Sequence, residues 1–257
     1  MLYRFLTYMN ATNSETTYAN IAFYISNNFT KVAKMNLEEL AEVCYVSQAT
    51  ISRFCRFLGF DSFTHFKAAC HESIREGEHL VNNLVNNLSA DDDEYVKEFG
   101  NYGKMVVAEM QDFFTNLDLK TLDALLEEIH HTEDVAFFGV HRCASCIHEV
   151  QYSFALKDKF VKAYTGSVQK IECAKSLTKD SLAIVVTASD GFWFEEQDLV
   201  KILKKSPCKK LLIVAGPSEN EDMFDQVYRI GTGSARGASY AMMNLSEAMI
   251  SRYFTKY

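Results

Sequence analysis

The sequence predicts an α/β protein in two parts: an all-helical N-terminal domain carrying a helix-turn-helix, and a C-terminal αβα sandwich built on a parallel sheet. Three observations predict it. Residues 15–76 show helical periodicity and helix caps with no strand pattern. From Val106 onward, short apolar runs alternate with helical stretches, the texture of a parallel sheet covered on both faces. Between them, VNNLVNNLSADDDE is rich in asparagine and acid and reads as a partly helical connector with solvated charges and a possible cap at Ser89. The expected division is 1–77, a linker 78–106, and 107–257.

In the first part, Tyr18, Ile21, Ala22, Ile25 and Phe29 recur at helical spacing and predict one amphipathic helix. Asn36 followed by Glu39 is a capping-box pattern that opens a second helix, Leu37 to Cys44. Ser47 is placed to cap a third, running to Leu58 and stopping at Gly59. A fourth runs from about Ser62 to Arg75. The second and third are joined by a very short turn, which requires a small residue where they touch, and Ala41 supplies it. Leu37, Leu40, Val46, Ile51, Phe54 and Leu58 fall where they lock the two together. The turn Tyr45-Val46 lacks the frequent glycine.

Packing one face of the third helix inward leaves Gln48, Ala49, Ser52, Arg53 and Arg56 outward, with Ser47 and Thr50 at its start. These are amide, small, hydroxyl and guanidinium groups, with no carboxylate among them. A helix that enters the DNA major groove needs this chemistry, and arginine pairs bidentately with guanine edges. The whole chain has a net charge of −8. Yet up to Glu76 its basic and acidic residues balance, and the acidic excess begins at Asp91, Asp92, Asp93 and Glu94. So little excess positive charge implies weak non-specific binding and action in pairs on double-stranded DNA.

This stretch resembles the N-terminal domain of the RpiR/MurR family of bacterial regulators. The resemblance is carried by Glu39-Leu40-Ala41, the run Val46-Ser47-Gln48-Ala49-Thr50-Ile51-Ser52-Arg53-Phe54, then Leu58-Gly59-Phe60, Phe63 and Phe66-Lys67. It implies a homodimer, or dimer of dimers, that regulates genes of carbohydrate metabolism from an inverted repeat. Ser47, Gln48, Ala49, Thr50, Ser52, Arg53 and Arg56 become its DNA-contacting residues.

In the second part the strand candidates are VAFFG (135–139), FVKAY (160–164), LAIVVT (182–187), LLIVA (211–215) and, more weakly, VYRIG (227–231). In parallel sheets the ligand crevice lies beyond the carboxyl ends of the strands. The order of elements over 107–257 is similar to the sugar isomerase (SIS) domain of the same family, which implies a sugar-phosphate effector. In that domain a G-x-G-x-S turn after the first strand and S-x-S-G-x-T after a later strand hold phosphate on helix amides and hydroxyls. Here the turns read Gly139-Val140-His141-Arg142-Cys143 and Thr187-Ala188-Ser189-Asp190-Gly191-Phe192. His141 stands for glycine, Cys143 for serine, Asp190 for glycine and Phe192 for threonine. Gly139, His141, Arg142, Cys143, Thr187, Ser189 and Asp190 are therefore the expected ligand residues of an altered pocket. A carboxylate beside phosphate is repulsive unless Arg142 offsets it. Two other readings remain open: a pocket without ligand whose domain only dimerises, and redox or metal sensing.

His141, Cys143, Cys146 and His148 lie close in sequence, but Cys143 and His148 point about 140° apart on a helix, which is not a zinc arrangement. Cys143 at a helix start raises the question of a lowered thiol pKa, against the commoner buried, inert thiol. Cys44, Cys55 and Cys70 read as core. Neither cofactor nor metal is expected, nor a catalytic residue: isomerases of this fold need a positioned base, and the spacing of His148, Glu149 and Glu247 singles out none. The alternative is an isomerase or carbohydrate-binding protein with an accessory helical domain. The terminal helix, about Ala238 to Tyr253, is apolar enough for core or for a dimer interface. No stretch approaches the ~20 apolar residues of a membrane span, the N-terminus lacks a signal-peptide pattern, and the seven cysteines read as free thiols, so the cytoplasm is expected.

Overall fold

The computed structural model describes residues 2–11, 16–85, 89, 91–188, 191–216, 218, 220–230 and 237–257. The chain divides into two compact units, Met1–Asn83 with Gly166–Gln169, and Leu84–Thr165 with Lys170–Tyr257.

The first unit is helical: α1 (Leu2–Ala11), α2 (Thr17–Asn27), α3 (Phe29–Val32), α4 (Leu37–Val43), α5 (Gln48–Phe57) and α6 (Phe63–Val85). The N-terminal residues, in which sequence reasoning found no signal-peptide pattern and assigned no element, form α1, whose Phe5 is fully buried. The Phe5 ring stacks on Phe54 at 6.2 Å and meets Phe66 edge-on at 5.9 Å. The expected single helix through Phe29 breaks at Asn28, and Phe29 opens the short α3. The capping box of α4 is present: Glu39 N–H donates to Asn36 Oδ1 at 2.9 Å and Asn36 N–H donates to Glu39 Oε2 at 2.7 Å. Ser47 Oγ accepts from Thr50 N–H at 3.1 Å and caps α5.

Helices α4 and α5 end in the same way. After α4, Tyr45 N–H donates to Glu42 O and Val46 N–H to Ala41 O; after α5, Gly59 N–H donates to Arg56 O and Phe60 N–H to Cys55 O. This double closure needs a left-handed residue at its corner. Gly59 supplies it with φ 87°, and Tyr45 supplies it with φ 54°. The turn that lacked a glycine in sequence thus adopts a glycine's conformation. Leu40, Ala41, Ile51, Phe54, Cys55 and Leu58 pack beneath it in one core with Cys70.

The second unit runs α7 (Asp92–Thr115), α8 (Leu119–His131), β1 (Asp134–Gly139), α9 (His141–Ala155), α10 (Ser167–Ser176), β2 (Ser181–Thr187), α11 (Gly191–Glu195), α12 (Gln197–Lys205), β3 (Lys209–Val214), β4 (Gln226–Arg229) and α13 (Ala238–Lys256). The acidic run has a local use. Asp91, rather than Ser89, caps α7 through Glu94 N–H, and Asp92, Asp93 and Glu94 fill the first turn, where the helix dipole favours negative charge.

The sheet is parallel with strand order β1-β2-β3-β4. Alternate residues feed two cores. Val135, Phe137, Ile184, Val186, Leu211 and Ile213 face α8, α9 and α13. Ala136, Phe138, Ala183, Val185, Leu212 and Val214 face residues of α10, α11 and α12. The αβα sandwich is therefore the observed architecture. FVKAY is not a strand: it makes one parallel bridge, Lys162 to Ala136, at the outer edge of β1, where Val161 and Ala163 are buried but Phe160 is exposed. With one side unpaired and half its side chains in water, it gains too little to extend. Most apolar residues of α13 are core, including Met242, Leu245, Met249 and Tyr253, while Met243 and Phe254 are exposed.

Tyr45 is 96% exposed, so its ring gains little from burial while its backbone carries left-handed strain. Tyr45→Gly should stabilise the protein by about 0.5–1 kcal/mol, seen as a higher urea midpoint with unchanged slope. A lower midpoint would show that the side chain contributes more than the strain costs.

Candidate recognition helix and effector crevice

Helix α5 buries Ile51, Phe54 and Cys55 and turns Gln48, Ala49, Arg53 and Arg56 to solvent, with Ser47 exposed at its cap. Thr50 and Ser52 are half-buried. The Thr50 hydroxyl lies 2.9 Å from Ser47 Oγ and accepts from Arg53 Nη2 at 3.4 Å. The helix start is thus internally bonded, and the guanidinium of Arg53 is held along the helix from a fixed root. No acidic side chain interrupts this face, so it can approach a polyanion without repulsion from its own residues.

The carboxyl ends of β1 and β2 form the second candidate site. Gly139 ends β1, and a Cβ there would meet Ile147 Cδ1 at 2.6 Å, Val186 O at 3.3 Å and Ala144 N at 3.4 Å. The glycine is thus required for strand β2 and helix α9 to pack against it. His141 opens α9 with φ 51°, in the left-handed region that favours glycine. Its Nε2 pairs with a carboxylate oxygen of Glu195. Arg142 is exposed and has no ion pair among the described residues; Asp190, the carboxylate that it was expected to offset, lies outside them. Thr187 is buried at the end of β2, whereas Ser189 and Asp190 lie outside the described residues.

Cys143 does not carry the role of the motif's serine. It is buried in the sheet–helix core, and burial pushes its thiol up to about 12, so it remains protonated at neutral pH. Cys146 is in the same core, and His148 Nε2 contacts the Ala163 carbonyl at 3.2 Å. Burial likewise raises Cys55 and Cys70 to about 12 and Cys44 to about 11. Phe192 stands where the family motif has a hydroxyl and is fully buried beside Trp193 in the second core. Trp193 Nε1 donates to Ser218 Oγ at 2.7 Å, which anchors α11 from its other side.

The structure adds three residues that sequence reasoning missed. Lys170 of α10 is almost wholly buried, and its Nζ donates to Gly139 O and to Glu196 Oε1, both at 2.9 Å. Glu195 and Glu196, adjacent at the end of α11, face two different partners, the His141 imidazole and the Lys170 ammonium. Burial raises the Glu195 carboxyl, but the His141 hydrogen bond and its charge outweigh that, and the net displacement is downward. The only signal in sequence was two consecutive carboxylates after the apolar run GFWF. Elsewhere, a cleft of about 250 Å³ lies among α7, α8, β4 and α13. Its Asp112 accepts from Asn116 and its Asp118 caps α8, so these carboxylates serve local structure.

Comparison with known proteins agrees with this layout. Residues 6–77 match the family model described as the helix-turn-helix domain of the rpiR family. The HTH-type transcriptional regulator HexR of Escherichia coli is 24% identical over 201 residues, 77% of this chain and 62% of that protein. The Vibrio vulnificus NanR protein, solved in complex with ManNAc-6P, superposes over 100% of this chain and 92% of that one, with a TM-score of 0.51 and 17% identity. A phosphoheptose isomerase from Francisella tularensis covers 63% of this chain and 98% of its own, with a TM-score of 0.52 and 13% identity. The C-terminal unit thus has the sugar isomerase fold.

The Lys170–Glu196 pair has side chains only 2% and 6% exposed. Removing one partner from a buried pair leaves the other charge desolvated, so Lys170→Met should lower the unfolding free energy by about 3–5 kcal/mol in urea titrations. The double variant Lys170→Met/Glu196→Leu should lose clearly less than the sum of the singles. Additive losses would mean that the two side chains are energetically independent.

Proposed function

We propose that this chain, a transcriptional regulator whose residues 6–77 are a helix-turn-helix domain of the rpiR family, binds an inverted-repeat operator as a dimer and answers to a polar small molecule at the carboxyl ends of β1 and β2. The observation that carries the DNA reading is the acid-free outward face of α5: Gln48, Ala49, Arg53 and Arg56 exposed, with Ser47, Thr50 and Ser52 around its first turns. Arg53 and Gln48 read base edges, and Ser47 with the first amides of α5 positions the helix on the phosphate backbone.

The effector is a carbohydrate derivative, held by Thr187, by Ser189 and by the turn from Gly139 to Arg142. NanR of Vibrio vulnificus was solved with ManNAc-6P. In this chain four positions of the corresponding turns are altered: His141 replaces the glycine that lets backbone approach a phosphate, Asp190 brings a carboxylate into the second turn, and Cys143 and Phe192 are committed to the core. Cys143, with a buried protonated thiol, belongs to packing. The ligand is thus held differently from a typical sugar phosphate, and its target genes are those of carbohydrate metabolism.

Purified protein incubated with fragmented genomic DNA should enrich one or a few palindromic sites. Arg53→Ala should fold normally and lose about 10- to 100-fold in affinity for the enriched site, following the ~1–3 kcal/mol worth of a base-contacting arginine. Equal gel-shift titrations for wild type and variant would remove Arg53 from the recognition face.

The balanced charge of the N-terminal unit calls for two copies acting together. The second unit exposes Tyr152, Leu156, Phe160 and Phe254, apolar side chains that a dimer would cover. Sedimentation velocity at micromolar concentration should show a dimer or a dimer of dimers. A monomer there would overturn the assembly proposed.

A further inference from the structure

Three lysines of the first unit are brought together by contacts that their sequence order does not suggest. Lys31 lies in the last turn of α3, and Lys34 N–H donates to Lys31 O at 2.9 Å in the link to α4. Lys67, 33 residues further on in α6, reaches back: its Nζ donates to the Lys34 carbonyl at 3.2 Å. Lys31 and Lys34 are exposed and Lys67 is half-buried. Among the described residues none of the three ammonium groups has a carboxylate within ion-pair distance. The flanking carboxylates are engaged elsewhere or stand apart. Glu39 accepts from Asn36 N–H, Asp61 lies 3.6 Å from the His65 imidazole, and Glu72 pairs with Arg75. Glu38 and Glu42 are exposed on α4 and pair with none of the lysines. Like charges held together without a counter-charge repel, and an approaching anion relieves that repulsion.

We propose that Lys31, Lys34 and Lys67 hold the phosphate backbone of the DNA beside the groove that α5 enters. This rests on the reading of α5 as the recognition helix. The dimensions of the helix pair support it. A helix-turn-helix docks with its second helix in the major groove and its first helix crossing the backbone, and that groove is about 12 Å wide. Helix α4 has seven residues, which makes it about 10 Å long. With the start of α5 in the groove, the far end of α4 falls beyond the groove wall, where a sugar-phosphate strand runs. Lys34 lies two residues before Asn36, the cap of α4. The bond from Lys67 fixes the chain at that point and leaves its ammonium two further N–H donors for phosphate oxygens. Lysine suits the task, because it acts as a point charge and needs no fixed geometry at its partner. Such contacts set orientation and carry no sequence information. What the first unit lacks in net positive charge it supplies locally, before one end of α4.

Gel-shift titrations of the full chain over a range of salt test this, on the palindromic duplex enriched from genomic DNA and on a random-sequence duplex. Lys31→Gln and Lys34→Gln remove a charge and disturb no side-chain hydrogen bond among the described residues. Each should weaken binding to both duplexes alike, by about three- to tenfold at ~0.1 M salt, and should lower the slope of log affinity against log salt by about one. Lys67→Gln should do the same, and Lys67→Arg should restore the slope, which a purely structural bond to Lys34 would not require. Arg53→Ala should instead narrow the gap between the two duplexes. Unchanged slopes in the Lys31 and Lys34 variants, or a loss confined to the palindromic duplex, overturn the proposal while the recognition reading of α5 stands. Conversely, if wild type prefers no duplex over random sequence but the slopes still fall in the lysine variants, the recognition reading fails and the backbone contacts stand.

Discussion

A parallel sheet buried on both faces governs the second unit. Parallel neighbours cannot be joined by tight turns, so each strand is followed by a crossover, and every crossover begins at the same end of the sheet. The alternation of Val135 and Phe137 with Ala136 and Phe138 divides each strand between two cores. Both faces are then filled with helices, and the strand ends are where polar groups can collect. His141, Lys170, Thr187, Glu195 and Glu196 are spread over 56 residues of sequence and meet there for that reason.

The constraint in the first unit is the closeness of α4 and α5. Ala41 in the contact and a left-handed corner at Tyr45 allow two helices to meet across a turn of a few residues. The corner conformation is imposed by the bonds that close α4, and the side chain at that position must comply. His141 repeats the principle at the start of α9. At both places a non-glycine residue stands at a left-handed corner, a conformation that favours glycine.

Replacing a glycine by histidine removes space, but it also adds a titratable group, and the group is answered by Glu195. The burial of Phe192 and Trp193 converts a hydroxyl-bearing loop into an apolar anchor. Among the described residues, His141 pairs with Glu195 and Lys170 with Glu196 at this end of the sheet. The recognition helix shows the opposite arrangement: its arginines are exposed, and among the described residues neither is matched by a carboxylate.

Local sequence determined the helices, caps and recognition face of the first unit. Capping boxes and helical periodicity depend on residues three or four apart, and Asn36, Glu39 and Ser47 act as their spacing requires. The parallel sheet was also legible, because strands buried on both faces read as continuous apolar runs. The failures have equally local causes. FVKAY has a strand's composition, but its place at an open edge, which sequence does not encode locally, left it a single bridge. The N-terminal residues were assigned no element from sequence, yet they form α1 and bury Phe5 in the core. Only the tertiary structure decided the chemistry of the crevice. Lys170 lies between 25 and 31 residues from each of Gly139, Glu195 and Glu196, and no periodicity links positions that only crossovers bring together.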